Sequence, residues 1–313
     1  TEDLERHETL TVDPISVDYR GTALHEIPPN GQGIAALVAL GVLRHFDISS
    51  MDPDDPRSLH LQIEAIKIGF ADAHRHVADP RFVDRSPAEL LDPARLESLA
   101  ERVDPEVAGR FDSGIPKPGG TILLCTADGD GRCVSFIQSN YTGFGSGVVI
   151  PGWGIAMQNR GACFHLTEGH PNRIGPDKRP YHTIIPALAT PSGGGLHDPA
   201  LQTSPGGLMA FGVMGGFMQP QGHVQVLSRI RDHRQNPQAA LDAPRFQWSS
   251  GRSVMVEPGW KESVYEELSS LGHRLKRADS RSVSFGRGQS IHAIENGWMA
   301  GSDQRADGQA VGC

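Results

Sequence analysis

Apolar and polar positions change rhythm several times along the chain. Residues 1–32 alternate loosely through Leu10, Val12, Ile15, Val17 and Tyr19, then meet Pro28-Pro29-Asn30-Gly31. That is the pattern of strands followed by a turn. Gly33 to Phe46 is apolar at helical spacing, and Asp52 to Asp55, with Pro53 and Pro56, breaks into a loop. The clearest helix spans Ser58 to Ala78: Leu59, Ile63, Ile66 and Phe70 recur every three or four residues, and Asp79-Pro80 ends it. Pro87 to Val103 predicts two short helices. Asp104 to Gly120 is rich in Pro and Gly and predicts an exposed linker.

The texture changes at Thr121. Thr121 to Ala127 predicts a strand of buried type, Asp128-Gly129-Asp130-Gly131 a turn, and Cys133 to Gln138 the return strand of a hairpin. A calcium loop is the alternative for Asp128 and Asp130, but the spaced carboxylates that should continue it are absent. Further strands are expected at Val148–Ile150, Gly154–Gln158, Ile184–Ala189 and Leu208–Val213. Gly215-Gly216 then opens a helix from about Pro220 to Arg234, and a second covers Pro237 to Leu241. A strand at Val254–Val256, a helix at Lys261–Leu271 and strands at Ser290–Ile294 and Trp298–Ala300 close the chain. The pattern is α+β and layered, not a βαβ repeat.

Composition narrows the function. Lys plus Arg is 29 and Asp plus Glu is 37, a net charge of −8 over 313 residues. This argues against a general nucleic-acid binder, as does the scatter of Trp153, Trp248, Trp260 and Trp298. The longest apolar run, Gly33 to Val42, is too short to span a membrane. Cys125, Cys133, Cys163 and Cys313 form no C-x-x-C pair, so a structural zinc site and a disulfide framework are both disfavoured. Cys125 and Cys133 read as buried free thiols of a hairpin. His74 and His76, two apart on the long helix, point away from each other and read as surface residues. His60 and Glu64 share a helix face but lack a third ligand. The opening Thr1-Glu2-Asp3-Leu4-Glu5 has no Met and no signal segment, and it reads as helix-like text from inside a longer protein. The compartment is left open.

Thr121 begins a strand just after Gly119-Gly120. By pattern alone this is an ordinary strand residue. A chain cut between Gly120 and Thr121 would instead carry a free amine beside a hydroxyl on one residue. An α-amine titrates near 7.7–8.0, so it can act as a base for its own side chain. The two glycines permit the backbone geometry in which that hydroxyl attacks the preceding carbonyl.

Five stretches, in order, resemble the γ-glutamyltranspeptidase family: Thr121 to Gly147, Gly175-Pro176-Asp177-Lys178-Arg179-Pro180, Met214-Gly215-Gly216, Gly301-Ser302-Asp303, and upstream Pro14 to Gly21 with Pro28 to Gly33. The resemblance covers essentially the whole chain. It implies an N-terminal-nucleophile hydrolase with a four-layer αββα sandwich that cleaves itself into a large and a small subunit. Residues 1–120 would be the tail of the large subunit and 121–313 the small one, together one structural domain. A large-subunit portion lying upstream or in a partner chain would complete the sheets, and it would carry the arginine for a substrate α-carboxylate. The assembly allows a homodimer of such heterodimers.

The resemblance also assigns residues. Thr121 is the processing and catalytic threonine. Ser139 stands where a supporting threonine is usual. Asn159 lies near the amino-acid end of the substrate, and Gly215 and Gly216 supply the backbone N–H groups of the oxyanion hole. Three positions depart from the γ-glutamyl pattern: Tyr141 replaces an Asn, Cys163 replaces the Asp that holds the α-amine, and His182-Thr183 replaces a Ser pair. His182 also reads as a packed core histidine, and Cys163 as a small filler. With Arg160, Arg173 and His182 adding positive character, the pocket is expected to take an acyl group bearing a carboxylate and lacking an amine, as in glutaryl-cephalosporin acylases or oxamate amidohydrolases. The family's own γ-glutamyl amides are the other donor class. No metal or organic cofactor is implied; the expected partners are a small amide and the large-subunit portion. Two readings stand outside these: a non-catalytic binding relative, and a metal amidase for which no ligand cluster is evident.

Overall fold

The computed structural model describes residues 2–6, 8–111, 114, 120–193, 207–279 and 282–312. A short helix α1 (Glu2–Glu5) precedes strands β1 (Ile15–Tyr19) and β2 (Thr22–Glu26) and helices α2 (Gly33–Leu43), α3 (Pro56–His76), α4 (Pro87–Leu90) and α5 (Pro93–Ala100). Strands β3 (Ile122–Ala127), β4 (Cys133–Gln138), β5 (Val149–Ile150), β6 (Ile155–Ala156), β7 (Ala187–Pro191) and β8 (Met209–Met214) come next. The rest is α6 (Met218–Arg231), α7 (Pro237–Asp242), β9 (Phe246–Ser250), β10 (Ser253–Val256), α8 (Glu262–Ser270), β11 (Arg274–Arg277), β12 (Arg287–Ile294) and β13 (Gly297–Ser302).

Local chemistry sets the helix ends. Asp55 caps α3 by accepting from the Arg57 N–H, and Pro56 occupies the first turn, where its missing N–H costs nothing. Asp92 and Asn236 cap α5 and α7 in the same way, each followed by a proline. Helix α2 is buried on every side, so its uniformly apolar sequence is needed rather than a stripe. Two glycines let its neighbours close in. A Cβ on Gly69 of α3 would lie 2.2 Å from the Ala35 carbonyl oxygen, and one on Gly41 would lie 2.6 Å from a Leu96 methyl.

A six-stranded antiparallel sheet, in the order β1-β2-β7-β8-β12-β13, is the centre of the molecule. On one face, Met209, Phe211 and Val213 of β8 join the main core with α2, α3 and α6. On the other face lies the β3–β4 hairpin, where Leu123 and Ile137 pack with Met214 and Ile184. Helices, sheet and hairpin are thus three successive layers of an αββα sandwich. The hairpin's outer face carries Ile122, Leu124, Val134 and Phe136, all exposed. The expectation of a fully buried strand at Thr121–Ala127 is corrected accordingly: only alternate side chains are covered by the described residues.

The layered α+β pattern holds, with a single βαβ unit among the described residues rather than a repeat: β10 and β11 pair in parallel with α8 between them, in a sheet ordered β11-β10-β9. One other expectation changes. The first part of the linker is moored rather than loose. Ala108 is buried and its N–H donates to Leu271 O (2.7 Å), while the Gly109 N–H donates to Glu64 Oε2 (3.1 Å). Lys67 Nζ donates to Gly109 O at 2.9 Å, and Gly114 bridges to Ser250. Pro116, Pro118 and Gly119 lie outside the described residues.

Candidate active site

Thr121 sits at the start of β3, buried, with its hydroxyl donating to Ser139 Oγ at 3.1 Å. Ser139, just past the end of β4, donates in turn to the Gly120 carbonyl at 2.8 Å. It also accepts from the Tyr141 N–H at 2.9 Å. The Ser139 hydroxyl therefore gives one proton and receives two, which saturates it and fixes its rotamer. Register explains the meeting: Ile122 pairs with Gln138, so the residues flanking that pair come together. The chain Thr121 Oγ–Ser139 Oγ–Gly120 O places a polarising donor on the carbonyl that Thr121 would attack.

The loop after β4 builds one wall. Tyr141 is buried with φ +78°, an unusual value for a residue with a side chain, and burial, with Cys163 nearby, pushes its hydroxyl pKa up. Asn159 Oδ1 accepts from the Thr142 N–H at 3.1 Å, so this asparagine holds the loop rather than presenting both amide ends to a ligand. Arg160 is 4% exposed. Its guanidinium donates to Thr183 Oγ1 (3.1 Å) and the Ser139 carbonyl (3.2 Å), and it lies 5.7 Å from the Tyr141 ring centre. Both of these acceptors are neutral oxygens. Burial pushes the Arg160 pKa below the usual arginine value, and the Cys163 and Tyr141 groups act against that. Burial pushes the Cys163 thiol up, so it stands there neutral. A neutral thiol offers no partner to an ammonium.

The opposite wall comes from residues 181–183 and the β8–α6 turn. The His182 N–H donates to Asn30 O (2.9 Å), and burial, with Arg160 nearby, lowers its ring pKa to about 4. His182 is therefore neutral at pH 7, which corrects the expectation that it adds positive charge. Gly215 and Gly216 adopt φ +136° and +62°. A Cβ on Gly215 would lie 3.1 Å from Gly286 Cα, so both conformation and space require glycine. Met214, the residue before this pair, packs on Leu123, two residues after Thr121.

The whole chain, residues 1–313, matches the family model described as gamma-glutamyltranspeptidase. The chain belongs to this family. It is 33% identical over 319 residues to the glutathione hydrolase-like YwrD proenzyme of Bacillus subtilis, covering 99% of this chain and 58% of the relative. It is 33% identical over 318 residues to the oxamate amidohydrolase proenzyme of Klebsiella pneumoniae, covering 99% and 57%. A solved structure, a cephalosporin acylase from Bacillus halodurans, superposes with a TM-score of 0.88 at 44% identity, covering 98% of this chain and 54% of that one. The chain thus spans a little over half the length of these relatives. They are proenzymes in two cases, and hydrolases or acylases by name.

Other candidate residues of this γ-glutamyltranspeptidase-family chain have different surroundings from those expected. Arg173 is exposed and faces Glu168 at 4.0 Å, so it is not grouped with Arg160. His74 and His76 are not surface residues. His74 packs against Phe70, Tyr181 and Phe217, and His76 is 7% exposed. Asp128 and Asp130 both pair with Arg132 in the hairpin turn. Cys125, Cys133 and Cys163 are free thiols, half-buried rather than fully buried. Cys313 lies outside the described residues.

Two groups were invisible to sequence spacing. His273 joins His60 and Glu64 to form, among the described residues, the one cluster close enough for a metal. Its members are already partnered: His60 Nδ1 meets His273 Nε2 at 2.8 Å, His60 Nε2 meets the Asp104 carbonyl, and the Lys67 ammonium sits 2.6 Å from Glu64. A cation already occupies the position beside the carboxylate. The second group is Gln32 with Tyr181, which joins the 181–183 segment to the Gly215-Gly216 turn. Gln32 stands inside a recognisable turn motif, but its partners are about 150 or more positions away.

Proposed function

We propose that the chain carries the nucleophile and oxyanion hole of an N-terminal-threonine amide hydrolase, matured by cleavage of the Gly120–Thr121 bond. The observation that supports this reading above all is the hydroxyl chain from Thr121 through Ser139 to the Gly120 carbonyl. In the uncut chain Thr121 Oγ adds to the Gly120 carbonyl carbon while Ser139 donates to its oxygen. The Oγ proton passes to the Thr121 nitrogen as the peptide C–N bond breaks, leaving an ester between Gly120 and Thr121 Oγ and a free Thr121 amine. Water hydrolyses that ester, releasing a Gly120 carboxylate and restoring the Thr121 hydroxyl.

Turnover then reuses the same hydroxyl. The Thr121 amine takes its proton as Oγ adds to the substrate amide carbon, and Gly215 and Gly216 N–H groups receive the developing oxyanion. The proton passes to the leaving amine, and the acyl-Thr121 ester goes to water or to an acceptor amine. Arg160 supports a donor whose acyl end bears a carboxylate, because its buried guanidinium rests on neutral acceptors and planar carboxylates match it. The neutral Cys163 disfavours an α-ammonium. Oxamate-type and glutaryl-type amides fit this chemistry better than γ-glutamyl amides. Tyr141, Asn159, His182 and Thr183 shape the pocket, and a large-subunit portion, paired on the hairpin side, completes it.

Intact mass after incubation at neutral pH tests the reading. Fragments dividing between Gly120 and Thr121, absent in Thr121→Ala, are expected; an uncut wild-type chain overturns it. For the donor, glutaryl and oxalyl anilides should outpace γ-glutamyl anilide, and the reverse order removes Arg160 from this role.

A further inference from the structure

Gln32 is fully buried, and both ends of its side-chain amide are engaged. Nε2 donates to the Thr183 carbonyl at 2.5 Å and to the Gly216 carbonyl at 2.8 Å. Oε1 accepts from the Tyr181 hydroxyl at 3.1 Å. Two carbonyls demand a donor between them, so the amide has only one workable orientation. Its own backbone N–H donates to the His182 carbonyl at 3.0 Å. One residue at the head of α2 thus ties together the 181–183 segment, which holds Arg160 through Thr183, and the glycine turn before α6.

We infer that Gln32 is a positioning residue for the oxyanion hole. This rests on the proposed role of Gly215 and Gly216. The Gly216 carbonyl lies in the peptide plane just after the Gly216 N–H, joined to it through the Gly216 Cα, and a glycine at φ +62° has no side chain to hold either plane. An oxyanion donor is effective only if it is oriented before charge develops. The Gly216 carbonyl accepts from Gln32 and from the Gln219 N–H at 3.2 Å. The second donor belongs to the same turn and moves with it. Gln32 is the fastening to a separate element, and α2 is enclosed by core on all sides. The same amide spaces the turn from Thr183, which Arg160 in turn grips, so the guanidinium and the glycine turn are referred to one residue.

The test uses the full-length protein with glutaryl p-nitroanilide. Gln32→Leu removes both donations, and Gln32→Glu keeps the shape but replaces the donor by an acceptor. Both should lower kcat by about 10- to 100-fold, short of the loss of a whole oxyanion donor, while KM stays within about two-fold. Relative to wild type, Gln32→Glu should recover as pH falls from about 8 to about 5, because a protonated carboxyl can again donate. A merely structural glutamine would give no such recovery. A kcat equal to wild type in Gln32→Leu, or an effect confined to KM, overturns the inference. Trapped acyl-enzyme mass on wild type separates the two levels. If no adduct forms on Thr121, the nucleophile reading has failed; if it forms and Gln32→Leu turns over normally, the brace has failed.

Discussion

On the proposed function, the side chain that decides between donors is Arg160. Its buried guanidinium is committed to two neutral oxygens and an aromatic face, so charge is left over for a ligand. Arg160→Lys keeps a cation but loses the planar fork. It should raise KM for glutaryl p-nitroanilide by about 10- to 100-fold, the worth of one charge-assisted hydrogen bond, with a smaller change in kcat. Steady-state kinetics decide it; an unchanged KM places the acyl carboxylate elsewhere. The meeting of Thr121 with Ser139 was legible through the family resemblance and the hairpin register, whereas the roles proposed for them and for the glycine pair await test. Gln32 and His273 were not legible, since each acts through partners about 150 to 210 residues away. His182 was legible as a position but not as a charge, because burial sets its protonation and a sequence carries no burial.

Elements were easiest to read where one physical rule dominates. Helix α3 has a proline start, an aspartate cap and apolar steps of three and four, and its span in the structure lies within two residues of the pattern at each end. Strand β11, Arg-Leu-Lys-Arg, has almost no apolar alternation and, among the described residues, pairs through β10 alone, so nothing local announces it. Helix spacing is written in glycines. Gly69→Ala gains up to about 1 kcal/mol of helix propensity, yet its Cβ would fall 2.2 Å from the Ala35 carbonyl. A backbone atom cannot rotate away, so the clash wins and a net loss of about 1–3 kcal/mol is expected. Chemical denaturation measures it, and a stabilised variant would mean that α2 and α3 part at little cost.

Across the whole molecule, buried histidines set the response to acid. Burial lowers His74 and His182 to about 4, His292 to about 3 and His273 to about 2. Each therefore binds protons more readily unfolded than folded, so stability is complete above about pH 6.5 and declines as pH falls from there toward 4. Tm measured from pH 7.5 to 4.5 should drop through that window; a flat profile contradicts these burials. The layer count was legible only through family resemblance, since no local pattern says how many sheets will stack. The apolar outer face of the β3–β4 hairpin fits three described layers of a four-layer design. Phe136→Asp in the full-length protein should weaken attachment of the covering layer and raise dye binding to exposed apolar surface, leaving the helix side intact. Hydrogen exchange by region distinguishes that from global unfolding.

The clasp around residue 109 would keep its hold after the proposed cut at Gly120. Glu64 and Lys67 grip Gly109 from both sides, and Gly114 is paired to Ser250. Only six residues separate that second fastening from the end of Gly120, a leash of at most about 20 Å. On the proposed maturation, the cut end would not become a free solute. It would remain an intramolecular ligand at an effective concentration in the millimolar range, a carboxylate tethered near the Arg160 guanidinium. A freshly matured molecule would then have to displace its own tail before an outside donor entered.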